Sequence, residues 1–211
     1  MTARTIAEEL RSHAPFTAFG TVTGIMIMAV MIQTRVPREI SATLFWTFHP
    51  LHVFLSAFVT TGMYRLHGSA GVWQTLWIGY VGSVGIATLS DSIIPYLGEI
   101  MLNLPQRGVH LGFIEKWWLV NPLALLGIGL ACYRPFTKFP HAGHVLLSTW
   151  ASLFHITMAM GGQVDAVMLV LIVGFLFLAV WLPCCTSDII FPLLLAKGRS
   201  AEGGQSHYRD P

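Results

Sequence analysis

Charge is what this chain has least of. Among 211 residues, 12 are Lys or Arg and 10 are Asp or Glu, which is 10% of the whole. Soluble domains carry roughly 25%. So few ionic groups cannot cover a water-facing surface, and those present fall mostly in short clusters between long apolar runs. A soluble globular body is therefore excluded as the expected class. Cysteine is scarce too: Cys132, Cys184 and Cys185 are odd in number and two are adjacent, which is no disulfide framework. A net charge of +2, with no basic run interleaved with aromatics, excludes a nucleic-acid partner. The first 14 residues contain Arg4, Glu8, Glu9, Arg11 and His13 and lack the short apolar core and small-residue site of a cleaved leader. Hydrolase signatures of the His-Glu-x-x-His and Gly-x-Ser-x-Gly kinds are also missing.

What the chain does have is apolar length. Hydrophobic residues make up 54%, and mean hydropathy is +0.64. A helix needs about 20 apolar residues to cross the hydrocarbon core of a bilayer. Six segments reach or approach that length: 15–34, 43–64, 72–97, 117–133, 141–160 and 166–195. The expected fold class is an all-α integral membrane protein of about six transmembrane helices, with the lipid bilayer as its first partner. Residues 1–14 read as a cytoplasmic arm and 197–211, rich in Gly and polar groups, as a disordered tail.

Lys and Arg in the short loops set orientation. With six spans, Arg4, Arg11, Arg65, Arg134, Lys138, Lys197, Arg199 and Arg209 share one side, and Arg35, Arg38, Arg107 and Lys116 the other. The richer side is the cytoplasmic one, so both termini are expected inside a multi-pass cell membrane protein. Trp46, Trp73, Trp117 and Trp118 fall near span ends, where indole rings anchor.

The chain also resembles itself. His49-Pro50-Leu51-His52-Val53-Phe54-Leu55-Ser56 returns as His141-Ala142-Gly143-His144-Val145-Leu146-Leu147-Ser148, identical at five of eight positions. Ser90-Asp91-Ser92-Ile93-Ile94-Pro95 returns as Ser187-Asp188-Ile189-Ile190-Phe191-Pro192, identical at four of six. The pairs keep their order, offset by 92 and 97 residues. Matched Val or Leu in apolar helices means little, but matched His, Ser, Asp and Pro are rare in spans. The reading is a duplication, with repeat one at 15–103 and repeat two at 104–196. Three spans per repeat is an odd number, so the second copy enters the membrane from the opposite side, as in many secondary transporters.

The matched polar residues are the candidate site. His49 and His52 are three apart on one helical face, as are His141 and His144. His-x-x-His alone is a weak motif, and either pair could be interfacial histidines satisfied by water. Asp91 and Asp188 shift the balance, because a carboxylate inside an apolar stretch is a functional hypothesis by default. Each precedes a proline by four residues, and Pro95 and Pro192 lack the N–H that would bond the carbonyls of Asp91 and Asp188. With Ser90 and Ser187 adjacent, oxygen donors and neutral imidazoles together suit zinc or a similar divalent metal. His155 lies three turns beyond His144 on the same face, and Met63 occupies the matching place in repeat one. It reads first as a packing histidine. Glu99 and Glu115 read as solvated span ends, with His110 a neighbour of Glu115. Cys184 and Cys185 offer soft ligands for zinc or copper, but repeat one has no cysteine at the matching place, which argues against a shared role.

The expected function is a small inverted-repeat carrier or binder of a cation, with the cation as substrate and self-association left open. Three other classes remain, the plainest of them a structural or assembly subunit of a membrane complex. A metal-dependent intramembrane hydrolase would need an asymmetric site, and a haem protein would leave Ser-Asp-x-Ile-x-Pro without a role.

Overall fold

A computed structural model describes residues 3–67, 71–134, 138–160, 166–185 and Phe191, and among these the chain is all-helical. The long helices are α1 (Ala3–Gln33), α2 (Arg38–His67), α3 (Val72–Met101), α4 (Trp117–Tyr133), α5 (Lys138–Ala159) and α6 (Ala166–Cys185). Each overlaps one of the apolar segments of the sequence. A single helical turn, Gly112–Glu115, sits in the α3–α4 connection. The 197–211 tail lies outside the described residues.

By length and composition, Arg38–Leu66, Val72–Met101 and Val167–Cys184 suffice to cross a membrane, while Thr17–Gln33 and Trp117–Tyr133 are apolar but shorter. The polarity of the described bundle is the reverse of a soluble protein's. Val22, Met26, Leu125, Leu126, Val167 and Val170 are exposed, whereas His49, His52, Asp91, Glu99, His144 and His155 are buried. Polar side chains within a membrane turn inward in this way.

Two helices stop by the same local device. Arg35 and Asn103 adopt left-handed φ values of 51° and 50°. Beyond each, Val36 N–H donates to the Met31 carbonyl and Leu104 N–H to that of Glu99, both at 2.9 Å. These are six-to-one closures of the Schellman type, which satisfy carbonyls that a helix end leaves open. Pro37 and Pro105 follow directly and cannot continue a helix.

Helix α2 packs on α3, α4 and α5. Its direction relative to α5 follows from ring contacts: Phe45 meets His155, Phe48 meets Phe154 and Trp150, and His52 meets His144. Rising numbers on α2 meet falling numbers on α5, so the two run antiparallel. One apolar cluster, including Met28, Phe45, Leu153 and Leu176, joins α1, α2, α5 and α6. Another, Val53, Val84, Ala87, Val120 and Ala124, joins α2, α3 and α4.

The α2–α4 seam depends on a small residue. A Cβ at Gly127 would stand 2.4 Å from the Phe54 carbonyl oxygen and 3.0 Å from Ala57 Cβ, whereas one at Gly129 meets nothing within 4 Å. Backbone cannot give way as a flexible side chain can, so Gly127→Ala must push the helices apart. We expect a loss of about 1–3 kcal/mol, typical of overpacking. Gly129→Ala should be neutral or stabilising by up to about 1 kcal/mol. Thermal unfolding in detergent checks this, and equal midpoints for the two variants would contradict the seam.

Candidate functional site

The site begins with an irregular turn in α3. From Leu89 to Ile93 the helix widens to i→i+5 bonding, and Ile94 N–H donates to the Leu89 carbonyl. In a regular helix that N–H would serve Ser90. The next residue in the widened register is Pro95, which has no N–H to offer. That register leaves the Ser90 carbonyl without a backbone donor. Ser152 Oγ on α5 lies 3.0 Å from it and 2.8 Å from the Ser148 carbonyl, so its one proton serves these two acceptors. Such widened turns occur often at functional sites.

The same turn carries Asp91, which is 0% exposed. Its Oδ2 accepts from His49 Nδ1 at 2.9 Å and His52 Nδ1 at 2.7 Å. Its Oδ1 accepts from Ser90 Oγ at 2.7 Å and Ser148 Oγ at 2.9 Å. An ionised carboxylate is an acceptor only, with about four lone-pair positions. All four are taken, by donors from α2, α3 and α5. An ionised acceptor also fixes both histidines as the Nδ1–H tautomer. His49 Nε2 is buried with no hydrogen-bond partner among the described residues. It faces Gly112, where an added Cβ would stand 2.3 Å away.

Beyond Asp91, His52 stacks on His144 with ring centroids 5.7 Å apart and planes inclined by 19°. Cys184, a buried thiol on α6, lies 3.5 Å from Ser148 Oγ. One ligand atom from each of His52, His144 and Cys184 falls within 4.8 Å of the others.

A second buried pair lies eight residues along α3. Glu99 Oε1 accepts from His155 Nδ1 at 2.7 Å, and Oε2 accepts the Gly108 N–H at 3.1 Å. Glu99 is 1% exposed, so it is not a solvated span end. The α3–α4 connection folds back over it, further pinned by Ser92 Oγ donating to the His110 carbonyl. His155 is the hydrogen-bonded packing histidine of the first reading, and its partner is Glu99. His110 pairs with the exposed Glu115 at 3.3 Å. Phe45 separates the two polar groups, with its ring centroid 5.3 Å from both His49 and His155.

The structure thus brings together His49, His52, Ser90, Asp91 and His144, with Pro95 shaping the turn. The side chain of His141, and Ser187, Asp188 and Pro192, lie outside the described residues. Sequence reasoning passed over Ser152, and it had Ser148 only as the repeat counterpart of Ser56, without its partner Asp91. An open cavity of about 700 Å³ near Arg35, Arg38 and Gln106 includes none of the site residues in its lining. No protein family, curated protein or solved structure matches this chain.

Glu99→Ala would leave two donors, His155 Nδ1–H and Gly108 N–H, without an acceptor. At about 1–3 kcal/mol for the buried His155 donor, and less for the part-buried Gly108 N–H, the loss should be roughly 1–4 kcal/mol. Amide exchange at Gly108 should quicken as well. Glu115→Ala, at an exposed carboxylate, should stay within about 0.5 kcal/mol. Equal effects in the two variants would refute the buried anchor.

Proposed function

We propose that this chain is a small multi-pass membrane carrier or binder of a cation, with a divalent transition metal as the first choice. The observation that carries the reading is Asp91, buried and held by imidazoles and hydroxyls from three helices. Ionisable groups inside membrane bundles are costly to keep, and they mark ion and substrate pathways. Apolar exposed faces, buried polar stripes and three helices of spanning length support insertion in the bilayer. In this proposal both termini are cytoplasmic, as the loop charges suggest.

The reading includes two inverted repeats, 15–103 and 104–196, and the contact of His52 with His144 supports it. These are sequence counterparts, 92 residues apart. Under two-fold symmetry, a residue meets its own counterpart only at the axis. Helices α2 and α5, which carry them, run antiparallel, as equivalent spans of inverted repeats must. The axis then passes beside the stacked imidazoles, and a site there is shared by both halves. Carriers of this kind bind their ions beside irregular helical backbone at a repeat interface; α3 stays continuous, and its widened turn is the irregular backbone at this place. The hydrolase alternative is weaker: Ser148 donates to a carboxylate and not to an imidazole, so it lacks the usual activating base.

Asp91→Asn tests the proposal, alone and combined with Asp188→Asn. The amide puts an NH₂ in place of one acceptor oxygen, so either the imidazoles on one side or the hydroxyls of Ser90 and Ser148 on the other must reorient. We expect zinc affinity, by titration of the purified protein, to fall about 10- to 100-fold. Zinc flux into liposomes should fall with it. Native metal content and native flux in both variants would sink the carrier reading.

A further inference from the structure

The polar cluster around Asp91 holds more information than the presence of a cation site, because its hydrogen bonds say which atoms are still able to bind one. Asp91 is full. Four donors occupy its two oxygens at 2.7–2.9 Å, leaving no lone pair for an ion. It acts on His52 instead: the Nδ1–H bond to Oδ2 fixes the tautomer, so the lone pair of His52 is on Nε2. A metal-binding histidine very commonly donates its other ring N–H to a carboxylate in this manner, which orients the ring and raises its basicity.

Two further ligand types converge on that imidazole. His144 stacks beside it from α5, and Cys184 reaches it from α6. All three residues are buried, and one ligand atom of each lies within 4.8 Å of the others. A tetrahedral ion with bonds of about 2.0 Å to nitrogen and 2.3 Å to sulfur sets its ligands roughly 3.3–3.6 Å apart. The triad is wider than that, and the imidazoles, stacked at 19°, must swing for both in-plane lone pairs to meet one ion.

We infer that His52, His144 and Cys184 are the ligands, that Asp91 is a positioning residue for His52, and that the cargo is a zinc-like borderline divalent ion. This rests on the cation reading above and narrows it. Two imidazoles and a thiolate select against the hard cations magnesium and calcium, which demand oxygen. Binding displaces the thiol proton, so one proton leaves Cys184 for each ion taken up. Three protein ligands leave the fourth position open, as in zinc sites that exchange a ligand, whereas structural sites close with four. An open position suits an ion that must also leave.

Cobalt(II) and zinc(II), added as salts to the detergent-purified full chain, provide the test. Cobalt should produce a thiolate-to-metal charge-transfer band in wild type, Cys132→Ala and Cys185→Ala, and none in Cys184→Ala. Zinc affinity should fall at least about tenfold in Cys184→Ala and about 10- to 100-fold in Asp91→Asn. X-ray absorption at the zinc edge of the wild-type protein needs no variant, so a misfolded variant cannot confuse it. One sulfur near about 2.3 Å and two imidazole nitrogens near about 2.0 Å are expected. A shell of nitrogen and oxygen alone, or a band that survives Cys184→Ala, overturns the ligand set. The cation reading would still stand in that case if Asp91→Asn lowered zinc affinity. Wild-type protein that binds neither metal and moves neither across liposomes overturns both.

Discussion

A carboxylate shut inside a helical bundle must find all its donors among its neighbours, and this requirement at Asp91 sets the register of three helices. His49 and His52 must both reach Oδ2 from α2, and Ser148 must reach Oδ1 from α5. Sliding α2 or α5 by one turn, about 5.4 Å, would break at least one of these bonds. The penalty for a lone buried charge is several kcal/mol, far above the roughly 1 kcal/mol of an ordinary buried hydrogen bond. The apolar contacts of the bundle tolerate small shifts more easily, since apolar groups have no directional partner to lose. Asp91 therefore supplies the specificity of packing and the apolar seams supply its bulk.

That constraint propagates through the backbone. Pro95 removes a donor, the widened turn takes Ile94 N–H for Leu89, and Ser90 is left with a bare carbonyl that Ser152 fills from α5. Ser152 lies one turn from Ser148, which serves Asp91, and Ser148 lies one turn from His144. His155 completes the row on the other side. Spacings of four, four and three put His144, Ser148, Ser152 and His155 on one stripe of α5. On α2 the row His49, His52, Ser56 and Thr60, also buried, follows the same rule. Two polar stripes face inward on antiparallel helices beside the apolar clusters, while the outside carries Val, Leu and Met.

Much of this was legible in the sequence, and the failures have physical causes. Apolar length places the six long helices well, because hydropathy integrates over 20 residues and forgives local errors. The rarity of polar groups in spans singled out His49, His52 and Asp91, and alternating span direction puts them at a similar depth. Glu99 was misread because its position near a span end implies water only if the following loop leaves the protein. Here the loop turns back, held by the Schellman closure at Asn103 and by the Gly108 N–H, and neither is visible as composition. The bare carbonyl of Ser90 was missed for a related reason. A proline four residues after Asp91 points to Asp91 in regular α geometry, and the widened turn adds Ser90, which composition does not show. Ser148 was visible as a repeat match, but its acceptor, Asp91 on another helix, is a contact between helices that repeat matching does not show.

Cys184 presents a different problem, in which a sound symmetry argument leads away from the residue. Repeat one has no matching cysteine, and a mechanism run in duplicate would need one. In the proposed inverted-repeat reading, however, the two halves meet at a single place, with His52 and His144 as the paired counterparts. A symmetric pair of thiols beside them would complete four ligands, the closed arrangement of structural zinc. One thiol leaves the fourth position open, which is the arrangement the proposed exchange of an ion requires. The missing cysteine in repeat one is therefore compatible with Cys184 as a ligand in a shared site.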